Sequence, residues 1–223
     1  MNVVRLLLPG LCLVGCGGPP GLVPAAPTAL PVLVQGCAAA YPRPDYRVVH
    51  ALTVELAGRL AGAFLGVTGA TADGGSLRSS LLSLEGLVLV DVESSPAGLV
   101  VHRALPPFDE PGFAEGMASD IRLLLRPPAG EPDAAGTYDD GSTGCRWAAA
   151  DGGTIDLAED GAGDRWLRRW GPEGALLREV RFVGPFRDGF AAWALLRAPG
   201  PPGYELRLEL LEVERDGAAA AGP

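Results

Sequence analysis

The sequence predicts a mainly β protein of the α+β class, in which one strongly curved antiparallel sheet or unclosed β-barrel of about ten to eleven strands is covered by a helix near 111–126. Three observations predict it. Short runs of alternating apolar and polar residues recur along most of the chain, separated by Gly- and Pro-containing turns. Glycine (32) and proline (21) are abundant while aromatics make up only 6%, a composition suited to turns between strands and unsuited to a helical bundle. A single stretch, 105–128, carries a convincing helical period, and strand-like runs lie on both sides of it.

The helix rests on Phe113, Met117, Ile121, Leu124 and Leu125, which recur at steps of three or four and so share one stripe, with Glu115, Ser119 and Arg122 opposite. Asp109 and Glu110 precede it, where carboxylates meet free N–H groups, and Pro111 suits the first turn. Arg126 suits the last turn, and Pro127 and Pro128 stop it.

Ahead of the helix, Val48, His50, Leu52, Val54 and Leu56 share one parity and predict a half-buried strand. Further strands follow at 59–71, 76–84, 87–92 and 99–104, with turns at Gly58, Gly74-Gly75, Glu85-Gly86 and Pro96-Ala97-Gly98. After it, 129–144 reads as a polar loop, and strands are expected at 145–150, 154–157, 165–170, 176–183, 190–196 and 204–213. The alternation of Tyr204, Leu206, Leu208 and Leu210 slips at Leu210-Leu211, which predicts a bulge. Such a sheet is either filled by side chains or holds a ligand.

The first residues carry one positive charge at Arg5 and a short apolar run from Leu6 to Val14, too short to span a bilayer and typical of a secretory leader. Leu13-Val14-Gly15-Cys16 resembles the bacterial lipobox, which implies a leader over 1–15 and acylation of Cys16. An ordinary secretory signal cut nearby, or an uncleaved anchor, is the alternative. Two or three acyl chains anchor a protein firmly where one does not. Gly17 in place of Asp after the cysteine implies, by resemblance to the enterobacterial sorting rule, the outer membrane. From 16 to 45 the prolines predict an extended tether of roughly 3 Å per residue, although Leu30 to Val34 are apolar enough to pack as an extra edge segment. The folded domain is expected over 46–215, with a small-residue tail at 216–223. One core suits this length.

Every basic residue is arginine, so a Walker A lysine and Schiff-base chemistry are excluded. The net charge of −9 argues against nucleic acid as a partner. His50 and His102 fall in strand-like runs without zinc-ligand spacing, and no serine sits in G-x-S-x-G; Ser142 lies in a loop. The acidic loops at Asp139-Asp140 and from Asp156 to Asp164 lack the EF-hand order. No catalytic residue, metal or cofactor is expected. With Cys12 in the leader and Cys16 acylated, Cys37 and Cys145 remain, and an oxidising compartment favours a disulfide between them over two buried thiols.

Arg165, Trp166, Arg168, Arg169 and Trp170 form the one basic, aromatic cluster. It reads either as a contact for lipid phosphates, membrane or an acidic partner, or as a strand with tryptophans in the core and arginines on the wet face. Phe64, Trp147, Phe182, Phe190 and Trp193 read as core or as cavity lining.

Together, the lipobox, the first meander, Leu105-Pro106-Pro107, Asp120-Ile121-Arg122-Leu123, Pro127 and the closing Tyr204-Glu205-Leu206-Arg207-Leu208 resemble a family of bacterial lipoproteins often encoded with arylpolyene pigment genes, itself similar to the LolA and LolB lipoprotein-localisation proteins. The resemblance spans about 46–214. It departs from the family where Leu124, Leu125 and Arg126 replace an aromatic residue before the closing proline, and in enlarged Asp-rich loops. It implies an unclosed barrel with an apolar cavity for acyl chains, a LolA-like carrier as partner, a monomer at the periplasmic side of the outer membrane, and no catalytic residue. Phe113, Met117, Ile121, Leu124, Phe64 and Trp193 are the expected cavity residues. A structural envelope interaction module without a cavity is the competing reading.

Overall fold

The computed structural model describes residues 18–73, 75–201 and 203–215. In chain order the elements are β1 (Leu22–Pro24), α1 (Leu30–Ala39), β2 (Tyr46–Leu56), β3 (Arg59–Ala70), β4 (Leu77–Leu82), β5 (Val88–Ser95), β6 (Gly98–Ala104) and α2 (Phe113–Leu125). Then come β7 (Ala134–Tyr138), β8 (Thr143–Ala148), β9 (Thr154–Glu159), β10 (Arg165–Trp170), β11 (Leu176–Arg187), β12 (Phe190–Ala198) and β13 (Tyr204–Glu214). The expected leader, Cys16 and the tail at 216–223 lie outside the described residues.

All thirteen strands form one antiparallel sheet in the order β1-β7-β8-β9-β10-β11-β12-β13-β2-β3-β4-β5-β6. Two meanders, β2 to β6 and β7 to β13, are joined where β13 pairs β2, with Leu206 opposite Val54 and Leu208 opposite Leu52. The end strands β1 and β6 do not pair with each other, so the curved sheet is unclosed. The expected slip in β13 is present as a register shift between Leu210 and Glu212.

Two strands and one helix exceed the expectation. The segment expected to be a tether is built into the domain: Leu22–Pro24 pairs with β7, and Leu30–Ala39 is a helix against β7 and β8. Its prolines permit this, because Pro31 falls in the first turn, where no N–H bond is lost, and no proline follows until Pro42. The loop expected at 129–144 contains β7, whose composition (AAGTY) carries almost no strand signal. Tertiary pairing decides it: a Cβ on Gly136 would stand 1.9 Å from the Val23 carbonyl oxygen, so glycine there is what lets β1 lie alongside.

The Cys37–Cys145 disulfide is formed, with Cα atoms 6.2 Å apart, and ties α1 to β8. Both cysteines are buried, so α1 is clamped over the concave side of one half of the sheet. Helix α2 starts two residues later than Pro111, after Gly112 at φ 85°, and the Arg126 N–H closes its last turn onto the Arg122 carbonyl.

Candidate functional site

The pairing registers place His50, Leu52 and Val54 of β2, Leu206, Leu208 and Leu210 of β13, Phe64 and Gly66 of β3, Leu81 of β4, and Val90 and Val92 of β5 on the concave face. The apolar stripe of α2 lies over this face. Phe113 and Met117 pack with Phe64, Leu81, Val90 and Phe108; Ile121 reaches Tyr46 and Leu77; Leu124 joins the cluster beneath α1. Phe108 links Phe64 and Phe113 by edge-on contacts with centroids 5.7 and 5.2 Å apart.

The two halves of the concave face differ. Under α1 the interior is filled, with Leu167, Val180 and Leu196 fully shielded. Under α2, Leu52, Val54, Phe64, Leu206, Phe113, Met117 and Ile121 all point inward yet are only half-buried. Helix α2 lies close to β5 and β6 at the sheet's edge. A half-buried apolar surface, the candidate cleft, therefore lies between α2 and the central strands β13, β2 and β3. His50 belongs to this lining; burial drives its pKa down to about 4, so it is neutral at physiological pH.

Trp193 is not part of the lining. It alternates with inward-facing Ala194 and stands 46% exposed on the convex side of β12.

Polar groups fasten the helix across the cleft. Asp120 is 5% exposed and bonds Arg178 of β11 (Nε to Oδ1, 2.7 Å) and the Tyr204 hydroxyl of β13. Arg122 donates to Ser94 of β5 at 2.7 Å, and the Thr68 and Ser79 hydroxyls meet at 3.1 Å between β3 and β4. In the sequence Asp120 stands out only as part of the Asp120-Ile121-Arg122-Leu123 pattern; its role needs the sheet, which brings β11 and β13 to it.

The basic, aromatic stretch is largely structural. Trp166 (1% exposed) and Trp170 (8%) lie in a second small core on the convex side, with Tyr138, Ala158 and Leu22 beside Trp166. Asp156 is fully buried there and accepts from Arg146 (2.6 and 3.0 Å), the Trp170 indole (2.9 Å) and Tyr138 (3.1 Å). This buried carboxylate satisfies the indole N–H, which is why Trp170 is drawn inward and not presented to a membrane. The flanking arginines are engaged: Arg165 with Glu159, Arg168 with Glu179 and across the Trp166 ring, and Arg169 with Asp151.

Other polar candidates are dispersed. His102 pairs with Glu93 at 3.3 Å on the surface, and Ser142 donates to Asp140. Among the described residues no group of three His, Cys, Asp or Glu side chains is placed to hold a metal ion.

A strongly curved, unclosed antiparallel sheet with helices across its concave side is the LolA-like fold, and this chain has it. Among solved structures it is similar to a LolA superfamily protein from Nitrosomonas europaea, with a TM-score of 0.55 at 11% identity over 85% of this chain and 94% of that one. It also matches a domain described as outer-membrane lipoprotein-sorting from Vibrio parahaemolyticus (0.46, 10% identity, 85% and 93%) and a DUF1329 family protein from Desulfovibrio piger (0.43, 11%, 86% and 94%). No family model matches the chain. No curated protein matches it in sequence.

Proposed function

We propose that this protein is a lipid-anchored carrier or acceptor for a hydrophobic cargo, the acyl chains of lipoproteins or lipid, at the periplasmic side of the outer membrane. The observation that carries the reading is the half-buried state of the apolar side chains under α2, which we read as an open cleft. Its lining of Leu52, Val54, Phe64, Met117 and Leu206 offers an acyl chain apolar surface on several sides, while Leu167, Val180 and Leu196 fill the interior under α1. The LolA-like fold supports it, as does the name of the Nitrosomonas europaea protein. Cargo delivery by a LolA-like partner and membership of the arylpolyene-associated family belong to the same proposal; finding pigment or lipoprotein-transport genes beside this gene would support it. No step of this function needs a catalytic residue.

Anchoring through Cys16 fits the placement of the segment that follows. Pro20 accepts from Arg146, and the Gly21 N–H donates to Asp139, each at 2.8 Å, so the chain is docked on the sheet from there onward. The four residue steps from Cys16 to Pro20 can span at most roughly 14 Å. The domain then rides close to the bilayer instead of on a long tether. Among the described residues no helix is long and apolar enough to cross a membrane. Replacement of Cys16 by Ala should abolish incorporation of labelled palmitate; incorporation in that variant would remove the anchor from the reading.

The cargo reading is tested by titrating the protein with a fluorescent fatty acid and by native mass spectrometry for co-purified lipid. Saturable binding that weakens in Met117→Ala and in Phe64→Ala supports it. Absence of any bound lipid by both methods would move the assignment to a structural envelope module, which the filled half under α1 favours.

A further inference from the structure

A cavity of about 390 Å³ lies between the end of α1 and the end of α2, away from the Phe64–Met117 cleft, and Tyr41, Tyr46, Arg43, Arg126, Leu125 and Ala70 are among its walls. Three of those residues carry polar atoms that are buried and have no hydrogen-bond partner: the Tyr41 hydroxyl, the Tyr46 hydroxyl and Arg126 Nη2. The two tyrosines are 6% and 3% exposed. Only five side-chain polar atoms are in this condition among the described residues, and three of them belong to residues that line this one cavity. Buried polar groups are rarely left unpaired, and an unpaired guanidinium nitrogen is the costliest kind.

The chemistry of the three is uniform. Burial pushes both phenols well above their ordinary range, against the pull of Arg126 and Arg215 on Tyr46, so each hydroxyl keeps its proton and can donate. Arginine donates only. Arg43 adds a second cation at the rim, while Arg215 spends its guanidinium on the carbonyls of Arg43, Pro44 and Asp188. Asp73 is the carboxylate that senses Arg126, but it bonds Thr71 and Gly75 instead. The site thus presents donors and positive charge without a carboxylate bonded to it, on walls that are otherwise alanine, leucine and proline.

We infer that this cavity binds a phosphate-type oxyanion, carried either on a lipid headgroup or as free phosphate. Three donors from separate walls, one of them a guanidinium, suit the several free oxygens and negative charge of a phosphate. The three donor atoms carry almost no exposed surface, so binding requires their side chains to turn toward the cavity; Arg126, partly buried after the last turn of α2, is the one of the three nearest to solvent. The inference does not depend on the fate of the apolar cleft, and it places a polar recognition point beside the same helix that roofs that cleft.

The test is isothermal titration calorimetry of the mature protein with inorganic phosphate and, separately, with dihexanoyl phosphatidic acid below its micellar concentration. Saturable binding is expected, with Tyr41→Phe and Tyr46→Phe each weaker by about tenfold and Arg126→Gln weaker still. Tighter binding of the short-chain lipid assigns the site to a headgroup; equal binding assigns it to free phosphate. Each Phe variant keeps its ring and loses only an unpartnered hydroxyl, so its unfolding midpoint should equal or exceed that of the parent. Absence of saturable binding to either probe, unchanged affinity in the three variants, or a midpoint that falls in both Phe variants would overturn the inference.

Discussion

Replacing Asp120 with Ala removes the acceptor by which α2 holds β11 and β13 across the concave side. Asp120 is 5% exposed; its Oδ1 takes the Arg178 Nε–H at 2.7 Å and its Oδ2 takes the Tyr204 hydroxyl. Losing one partner of a buried ion pair costs about 3–5 kcal/mol. Arg178 is a quarter exposed and keeps the Leu177 carbonyl as a second acceptor, which moves the expectation to the lower end, about 3 kcal/mol. Asp120→Asn preserves a carbonyl oxygen for one of the two donors and should cost about half as much. The double change Asp120→Leu with Arg178→Met, which leaves no unpaired charge, should recover most of the loss. Urea unfolding followed by tryptophan fluorescence gives the midpoint and slope for each variant. A cost below about 1 kcal/mol for Asp120→Ala, with unchanged slope, would refute the idea that this cluster fastens the helix to the sheet.

Met117→Ala should cost about 1–2 kcal/mol, below the 2–5 of a fully packed core methionine, because Met117 is half-buried over the cleft; fatty-acid affinity should fall more than stability does. Cys145→Ser opens a cross-link spanning 108 residues and should lower stability by roughly 3–5 kcal/mol, read from the unfolding midpoint with and without reductant. His50 sets an acid limit. Its folded pKa of about 4 lies below the unfolded 6.5, so the unfolded chain takes up the proton first and stability is lost as pH falls through that window. The loss should approach about 2 kcal/mol between pH 7 and pH 5, and this slope should disappear in His50→Gln.

How far the site was legible follows from the geometry of single elements. The stripe of Phe113, Met117, Ile121 and Leu124 is visible as a helical period, and that period alone says which side of α2 must be covered. Phe64 is visible as a large apolar residue in a strand-like run. Trp193 is too, but hydrophobicity is silent on which face of a strand turns inward, and Trp193 lies on the convex one. For Trp166 and Trp170 the sequence left a core and a contact role both open; they are buried because the sheet at β7 to β10 buries residues on both faces, which their own run does not reveal. The helix α1 had a signal in the proline-free run from Val32 to Tyr41, outweighed by the prolines around it. The Tyr41–Tyr46–Arg126 cavity had none, since Arg126 arrives from a helix eighty residues further along.

Local patterns by themselves determined the antiparallel class, most strand positions, the covering helix, the bulge near Leu210 and the pairing of Cys37 with Cys145, because each depends on residues close in sequence or, for the thiols, on their small number. Tertiary structure alone decided that the N-terminal segment is a strand and a helix, that β13 pairs β2 to merge two meanders, and that one half of the sheet is filled while the other keeps a cleft. Those outcomes depend on non-local pairing and on how side-chain volumes add up across a curved face, which a period along the chain does not encode.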